Sequence, residues 1–206
     1  MITFKKVLSF LRSYKIDKKI LEWEKQGKPL PPPHEYKQKM ISEFADAHHL
    51  KVLVETGTYY GDMVEAMKGK FDHVYSIELS KELFAKATER FRKDTNVSIV
   101  QGDSGEEIAK IVESLDVPAL FWLDGHYSAG ETARGDKDTP IYEELGHILG
   151  ARDRGHVILI DDARCFGEDP SYPTIEALTD FIRSRRENVD ISVEGDCIRV
   201  IPMNLV

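Results

Sequence analysis

Acids and glycines follow five short apolar segments of the chain, and these residue types could bind a ligand and act on it. A glycine lets the backbone turn sharply and approach a ligand closely, and a carboxylate can accept hydrogen bonds or bind a cation. In sheets of parallel strands, ligands bind outside the carboxyl ends of the strands, which is where these residues would lie. In chain order the segments are Glu55–Asp62, Glu78, Gln101–Ser104, Asp124–Tyr127 and Asp161–Asp162.

The first segment has the pattern Glu55-x-Gly57-x-x-x-Gly61. A dinucleotide-binding loop has glycines at relative positions 1, 3 and 6, where this chain has Gly57, Tyr59 and Asp62. A bulky tyrosine where the backbone should meet a pyrophosphate argues against NAD or FAD. Taken alone the glycine loop is a weak signal, because a plain tight turn would explain it equally well.

Two further acids strengthen the signal. Glu78 ends the second predicted strand, 17 residues after Gly61, where such folds place an acid that accepts hydrogen bonds from both ribose hydroxyls. Asp103, followed by Ser104, comes after the third strand and could instead cap the next helix. Residue types that could bind a ligand at the ends of three successive strands are a stronger signal than one such segment.

An alternation of strands and helices would position these residues. From residue 34 onward, five short apolar strands alternate with helices, which is typical of a parallel sheet covered on both faces. Two final strands, near 190–194 and 197–201, are separated by Gly195-Asp196 and form a predicted hairpin. We therefore expect an α/β fold. It is Rossmann-like and doubly wound, with a mostly parallel seven-stranded sheet and one antiparallel strand near the C-terminus.

The N-terminal part has a different composition. Residues 3–26 place apolar residues at helical spacing among lysines, and residues 28–33 contain the Pro cluster Pro31-Pro32-Pro33. Such a basic amphipathic helix can lie on a membrane surface, but we favour a helix that packs across the domain as a cover. The sequence therefore predicts an amphipathic helix and Pro-rich linker over 1–33, and one domain over 34–206.

Over roughly residues 45–201 the motifs Glu55-x-Gly57-x-x-x-Gly61, Glu78 and Gly102-Asp103-Ser104 resemble those of class I S-adenosylmethionine-dependent methyltransferases. In that family the glycine loop passes under the methionyl part of the cofactor. The resemblance implies that Glu78 holds the ribose, that Asp103 meets the adenine amine, and that Glu55 binds near the methionine amino group, directly or through water. The full expected cofactor set is Glu55, Gly57, Thr58, Gly61, Glu78, Asp103, Ser104 and Asp124.

The ends of strands four and five resemble a narrower group, the metal-dependent macrocin-type O-methyltransferases, which methylate sugar hydroxyls of natural products. In that group an Asp after strand four and an Asp-Asp pair after strand five bind the metal, which implies Asp124, Asp161 and Asp162 here. If the two strands are neighbours, as the family order implies, the three carboxylates converge and repel unless a positive charge lies among them. Mg²⁺ would supply that charge, and Arg164 could neutralise the pair without a metal, so both alternatives stay open.

His126 stands two residues past Asp124, where the macrocin-type pattern has a second acid that is proposed as general base. Histidine is a competent base near neutral pH, so the same chemistry is possible with it, while the substrate class can differ from that of the macrocin-type enzymes. We expect His126 and Asp124 to be catalytic in methyl transfer to a hydroxyl of a small molecule, such as a sugar or natural product. Without a metal, His126 alone would be the base and nitrogen acceptors would be equally compatible. Residues 128–138 predict a lid or binding loop.

Composition excludes several other functions. Among 206 residues, 28 Lys and Arg stand against 36 Asp and Glu, giving a net charge of −8. Residues 1–28 hold eight basic residues and three acids, so the remainder carries −13 and is a poor surface for nucleic acid. No apolar run approaches the roughly 18 residues of a membrane span, and two cysteines make no disulfide framework. We expect a cytoplasmic protein without nucleic-acid partners or integral membrane association, and a homodimer stays open.

Three rival functions remain. A nicotinamide-dependent oxidoreductase could use a similar sheet, although Tyr59 speaks against it. A binding or regulatory protein could keep the S-adenosylmethionine pocket without catalysis. A metal-dependent hydrolase could use the same acids, but it would leave four residues of the motifs without a purpose: Glu55, Gly57, Gly61 and Glu78.

Overall fold

The computed structural model describes residues 16–125 and 139–203, and seven strands in these two ranges form one sheet. The strands are β1 (Val52–Thr56), β2 (His73–Glu78), β3 (Val97–Gln101), β4 (Ala119–Leu123), β5 (Val157–Ile160), β6 (Val189–Glu194) and β7 (Cys197–Pro202). The helices are α1 (residues 16–25), α2 (His34–Ala47), α3 (Asp62–Met67), α4 (Lys81–Phe91), α5 (Ser104–Ser114), α6 (Ile141–Gly150) and α7 (Ile175–Arg183). A 3₁₀ turn, Ala163–Cys165, follows β5.

The strand order is β3-β2-β1-β4-β5-β7-β6. The first five strands pair in parallel, and β7 runs antiparallel to both of its neighbours. This confirms the predicted doubly wound, mostly parallel seven-stranded sheet with one antiparallel strand. The order changes direction between β1 and β4, so the crevice for a ligand lies outside the ends of these two strands. Because β4 and β5 are neighbours, the condition for three converging aspartates also holds.

Helices cover both faces because the side chains of each central strand alternate between them. On β4, Phe121 packs with residues of α5, α6 and α7, whereas Trp122 packs with residues of α2, α3 and α4. All residues of β1, β4 and β5 are buried. The apolar runs of these strands therefore place the polar residues that follow them at one edge of a rigid sheet.

The described part of the N-terminal segment packs against α2. Ile20 and Trp23 of α1 are buried, and the Trp23 ring lies 4.8 Å from the ring of Tyr36. The Trp23 indole N–H donates to the carbonyl oxygen of Pro29 at 2.7 Å. These contacts agree with a covering helix, while residues 1–15 lie outside the described ranges and the division at residue 33 stays a prediction. Among the helices that the structure describes, none has both the length and the apolar character to cross a membrane.

Candidate functional site

The glycine loop follows β1 and packs tightly against the end of β4. Gly57 has φ +83°, and a Cβ there would collide with the carbonyl oxygen of Asp124. Gly61 has φ +79°, and a Cβ there would lie 2.6 Å from the ring of Phe91. Backbone N–H groups of Gly57 and Thr58 donate to the carbonyl of Ile77 on β2, at 3.0 and 3.2 Å. Glycine is therefore required at both positions by local packing, and this packing brings the loop beside Asp124.

Glu55 lies beneath this loop, on the same face of the sheet as Trp122, its partner in β4. Its carboxyl is buried and accepts a hydrogen bond from the hydroxyl of Ser76, which is 2.7 Å from the hydroxyl of Thr58. Burial raises the pKa of Glu55 to about 8, and the charges of Asp124 and Glu78 act in the same direction. A cationic group of a ligand placed beside Glu55 would reverse this shift.

Glu78 holds the glycine loop from the side of β2. One carboxylate oxygen accepts from the backbone N–H of Tyr59 at 2.8 Å, and the other accepts from the N–H of Ser80 at 2.8 Å. Tyr59 has a left-handed φ of 51°, which these bonds help to fix. Burial raises the pKa of Glu78 despite the two backbone bonds. Each carboxylate oxygen has a second lone pair with which it could bind a ribose hydroxyl.

Asp103 caps α5, which was the alternative role predicted for it from the sequence. Its side chain accepts from the N–H of Gly105 at 2.8 Å. Ser104 is buried beside the end of β4, because a Cβ added to Gly125 would lie 3.1 Å from the Ser104 hydroxyl. The residues of the expected cofactor set therefore lie at one edge of the sheet, and their roles stay predictions.

Asp124, Asp161 and Asp162 converge as predicted. One carboxylate oxygen from each lies within 4.8 Å of the other two. Asp161 and Asp162 are successive residues, whose side chains would point to opposite faces in an extended strand. Asp162 instead has a left-handed φ of 56° and lies directly before the 3₁₀ turn. We refer to these three residues as the acid cluster.

Lys37 lies in the acid cluster and was not singled out in the sequence analysis. Its ammonium forms an ion pair with Asp161 and lies 3.6 Å from a carboxylate oxygen of Asp162, and its side chain is only 14% exposed. Burial lowers the pKa of Lys37, but Asp161, Asp124 and Asp162 outweigh burial and raise it above its ordinary value. Its spacing was a usable signal. Lys37 precedes the buried Met40 and Ile41 by three and four positions, so a charge interrupts the apolar face of α2.

Arg164 is a second cation that pairs with the acid cluster. Its guanidinium donates to Asp162 at 2.7 Å and also pairs with Asp196 in the turn between β6 and β7. Burial lowers the pKa of Arg164, but the hydrogen bonds and charges of Asp162 and Asp196 outweigh burial and raise the pKa above its ordinary value. The expectation that Arg164 could neutralise the aspartate pair therefore agrees with its contacts.

The acid cluster offers the oxygen donors that Mg²⁺ prefers, but its present arrangement does not fit a divalent cation. Asp161 is bonded to Lys37 and Asp162 to Arg164. A divalent cation bound to all three acids would lie beside an ammonium and would be repelled by it. The Mg²⁺ site at Asp124, Asp161 and Asp162 stays a prediction that requires Lys37 to move.

Two sequence predictions fall outside the described residues. His126, the expected general base, and the segment 128–138, the expected lid, both lie between the two described ranges. The structure does place Gly125, the residue before His126, against Thr56 and Ser104 at the crevice between β1 and β4.

Solved structures of methyltransferases share this fold. A methyltransferase of Podospora anserina, PaMTH1, bound to S-adenosylhomocysteine, is 17% identical, covers 99% of both chains and has a TM-score of 0.59. The O-methyltransferase TomG of Streptomyces achromogenes, involved in tomaymycin synthesis and bound to S-adenosylmethionine, is 16% identical. It covers 92% of this chain and 89% of its own, with a TM-score of 0.56.

The N-methyltransferase NodS of Bradyrhizobium japonicum is 12% identical, covers 82% of this chain and 96% of its own, and has a TM-score of 0.55. No protein-family model and no curated protein sequence matches the chain. The similar structures include enzymes that methylate oxygen and nitrogen, so the fold does not select the acceptor atom. What the comparisons establish is that this chain has the fold of class I S-adenosylmethionine-dependent methyltransferases.

Proposed function

We propose that the chain transfers a methyl group from S-adenosylmethionine to a hydroxyl oxygen of a small molecule. One observation carries the proposal. Gly57 packs against the backbone of Asp124, so the expected cofactor loop and the acid cluster meet at one crevice. A methyl donor in the loop would then face an acceptor at the acid cluster, and such alignment is the main contribution an enzyme makes to this reaction.

The cofactor side supports S-adenosylmethionine through charge. The cofactor carries an ammonium and a sulfonium, and Glu55 and Glu78 are two buried acids with hydrogen-bonded carboxylates but raised pKa values. A cationic ligand would stabilise the ionised form of both. Glu55 would bind the methionine ammonium, Glu78 the ribose, and Asp103, through the oxygen that does not cap α5, the adenine amine.

The acceptor side supplies groups that bind and orient a hydroxyl. The acceptor oxygen attacks the methyl carbon in line with the leaving sulfur, so one C–O bond forms as the C–S bond breaks. The sulfonium becomes the neutral sulfur of S-adenosylhomocysteine, and the hydroxyl proton goes to a base, for which His126 is the proposed residue. Asp124 would orient the acceptor, because its backbone carbonyl packs against the loop while its carboxylate belongs to the acid cluster. A sugar-like acceptor, with several neighbouring hydroxyls, suits a cluster of carboxylate acceptors.

Divalent-metal assistance would polarise the acceptor hydroxyl if a cation bound the acid cluster. We do not assign the reaction to a metal, because Lys37 and Arg164 already pair with two of the three acids.

Calorimetric titration with S-adenosylhomocysteine, the expected product, tests the cofactor. We expect micromolar binding that Glu78→Gln weakens at least tenfold, because both oxygens of Glu78 hold the loop or the ribose. Glu113→Gln, an exposed acid near the end of α5, is the matched control and should bind as the wild type does. An absence of binding to folded protein would end the methyltransferase proposal in favour of the rival functions.

The methyl acceptor is tested next, with protein that binds the product. Incubation with S-adenosylmethionine labelled on the methyl group, together with pools of hydroxyl-bearing and amine-bearing small molecules, shows which class gains the label. Labelling of hydroxyl compounds that is lost in His126→Ala, with product binding retained, supports the proposal. Labelling of amines alone would contradict oxygen transfer, and unchanged turnover of His126→Ala would remove His126 from the mechanism.

A further inference from the structure

A lysine from α2 lies in the acid cluster, and its contacts identify a role that the sequence motifs do not contain. We infer that Lys37 is the resident cation of the acid cluster, so that it holds Asp161 and Asp162 in place of a divalent metal. Methyl transfer at this site then needs no metal ion. That last consequence rests on the proposed function, whereas the assignment of Lys37 as the resident cation rests on its contacts alone.

The position of the ammonium supports this inference. Lys37 pairs with Asp161, whose side chain is 2% exposed, and lies 3.6 Å from Asp162. Two buried carboxylates that are neighbours in the chain repel each other, and they need a compensating charge inside the cluster. Arg164 pairs with Asp162, and for Asp161 the charge comes from Lys37, on an element that is not part of the strand ends and 124 residues away in sequence.

The docking of α2 explains why the lysine reaches this point. Met40 and Ile41 are buried one turn further along the helix. Tyr36, the neighbour of Lys37, packs so closely on the turn between β6 and β7 that a Cβ at Gly195 would lie 2.5 Å from its ring. The next residue of the same turn, Asp196, pairs with Arg164. One turn therefore anchors both the helix that carries Lys37 and the arginine that pairs with Asp162.

The charges of the cluster explain why an ammonium and a divalent cation exclude each other. Asp124, Asp161 and Asp162 are the acids that a metal would need. The Lys37 ammonium pairs with Asp161 and lies 3.6 Å from Asp162, and the charge of Asp124 also favours its charged form. A divalent cation would have to displace Lys37 from Asp161 and leave the ammonium buried without that partner. Lys37 is thus a positioning residue that fixes the acids from which the acceptor would be bound.

Binding of Mn²⁺ to the full-length protein, measured by electron paramagnetic resonance of the free ion, tests the inference without any activity assay. We expect weak binding by the wild type and by Lys37→Arg, which keeps the charge. Lys37→Met should bind one Mn²⁺ about tenfold more tightly or better, because removing the ammonium frees Asp161 for a hard cation. The gain should disappear when Asp161→Asn is added to Lys37→Met.

Lys39→Met is the matched control. Lys39 lies on the same helix and is 3.5 Å from the exposed Asp17, so the change has the same charge and size but lies away from the acid cluster. It should bind Mn²⁺ as weakly as the wild type. Thermal unfolding establishes whether Lys37→Met is folded, and Lys37→Gln serves in its place if it is not.

Two results would overturn the inference. One is tight binding of a single Mn²⁺ by the wild type that Asp161→Asn abolishes. The other is a folded Lys37→Met or Lys37→Gln that binds Mn²⁺ no better than Lys39→Met. Failure of the proposed function is a separate result, because it would be seen as absent binding of S-adenosylhomocysteine whatever the Mn²⁺ measurement shows. Once an acceptor is known, wild-type turnover should persist in excess chelator, and loss of turnover there would contradict the metal-free reaction.

Discussion

The two halves of the crevice carry buried acids that have different partners. At the ends of β1 and β2, Glu55 and Glu78 are buried with hydroxyl or backbone N–H partners, and burial raises the pKa of each. At the end of β5, Asp161 and Asp162 are equally buried but pair with Lys37 and Arg164. We call these the cofactor half and the acceptor half.

This difference indicates what each half can receive. An acid whose charged form is disfavoured by burial gains most from a cationic ligand, which suits the ammonium and sulfonium of the proposed cofactor. An acid that already pairs with a cation of the protein gains less from a second one, so the acceptor half suits a neutral molecule that donates hydrogen bonds. The same residue type therefore serves two purposes, and the neighbours of each acid decide which.

The largest expected effect comes from the contact that joins the two halves. Gly57→Ala places a Cβ against the carbonyl of Asp124 in a backbone of φ +83°. We expect a loss of about 3 kcal/mol in unfolding free energy, combining left-handed strain with overpacking, and loss of measurable S-adenosylhomocysteine binding. Urea unfolding and calorimetry measure both quantities.

Gly146→Ala is the control for this substitution. Gly146 lies within α6, and a Cβ there would meet no described atom within 4 Å. Its unfolding free energy should stay the same or rise by up to about 1 kcal/mol, because alanine favours helix over glycine. If both variants bound the product equally well, the close junction between the two halves would have no functional role.

A second prediction concerns pH and the cofactor half alone. Folding raises the pKa of Glu55 from 4.5 to about 8. Below pH 4.5 both states hold the proton; between pH 4.5 and 8 the unfolded chain ionises first, so stability falls as pH rises. The loss amounts to a few kcal/mol, since one pH unit corresponds to about 1.4 kcal/mol.

Glu55→Gln removes this dependence, because an amide does not titrate in this range. We expect the unfolding free energy of the variant, relative to the wild type, to increase from pH 5 to pH 8 in urea titrations of both proteins. Glu113→Gln, which changes an exposed acid, should run parallel to the wild type. If the difference in unfolding free energy between Glu55→Gln and the wild type were the same at every pH, Glu55 would have an ordinary pKa.

Product binding should displace the proton of Glu55. Near pH 7 the free protein holds this proton, and an ammonium beside the carboxyl favours its release. Calorimetry in buffers of different ionisation enthalpy should therefore show release of close to one proton per S-adenosylhomocysteine, and almost none for Glu55→Gln. If both proteins released the same number of protons, the ammonium of the bound product would not lie beside Glu55.

The cofactor half was more predictable from the sequence than the acceptor half. Glu55 and Glu78 lie at the carboxyl ends of their strands and Gly57 follows β1 directly, so the order of strands alone places them at one edge. The convergence of Asp124 with the Asp161–Asp162 pair required β4 and β5 to be neighbours, which the resemblance implied and the sheet confirms. Such local patterns predict the position of a polar residue because the residue lies at the end of a buried apolar strand.

Lys37 was missed because its contact is not local. It reaches the acid cluster from α2, across 124 residues of sequence, through a docking that depends on the shape of the turn at Gly195. A single lysine in a helix that also carries Lys39, Glu35 and Glu43 is expected to be a solvated residue. Only its position three residues before the buried Met40 distinguished it. Sequence patterns therefore identified the acids of the site, while the partners that set their charge depended on tertiary packing.

The smallest expected effect separates the two halves. Arg164→Gln removes one cation from the acceptor half, and Arg164 is about a third exposed. We expect a loss of roughly 1–2 kcal/mol in unfolding free energy, between the values for exposed and buried pairs. Binding of S-adenosylhomocysteine should stay within about twofold of the wild type, because the contacts of Arg164 with Asp162 and Asp196 do not involve the glycine loop.

Arg92→Gln, which breaks an exposed pair with Glu89, is the control and should change neither quantity measurably. A large loss of product binding in Arg164→Gln alone would show that the two halves are electrostatically coupled. The cofactor half and the acceptor half would then have to be treated as one continuous site.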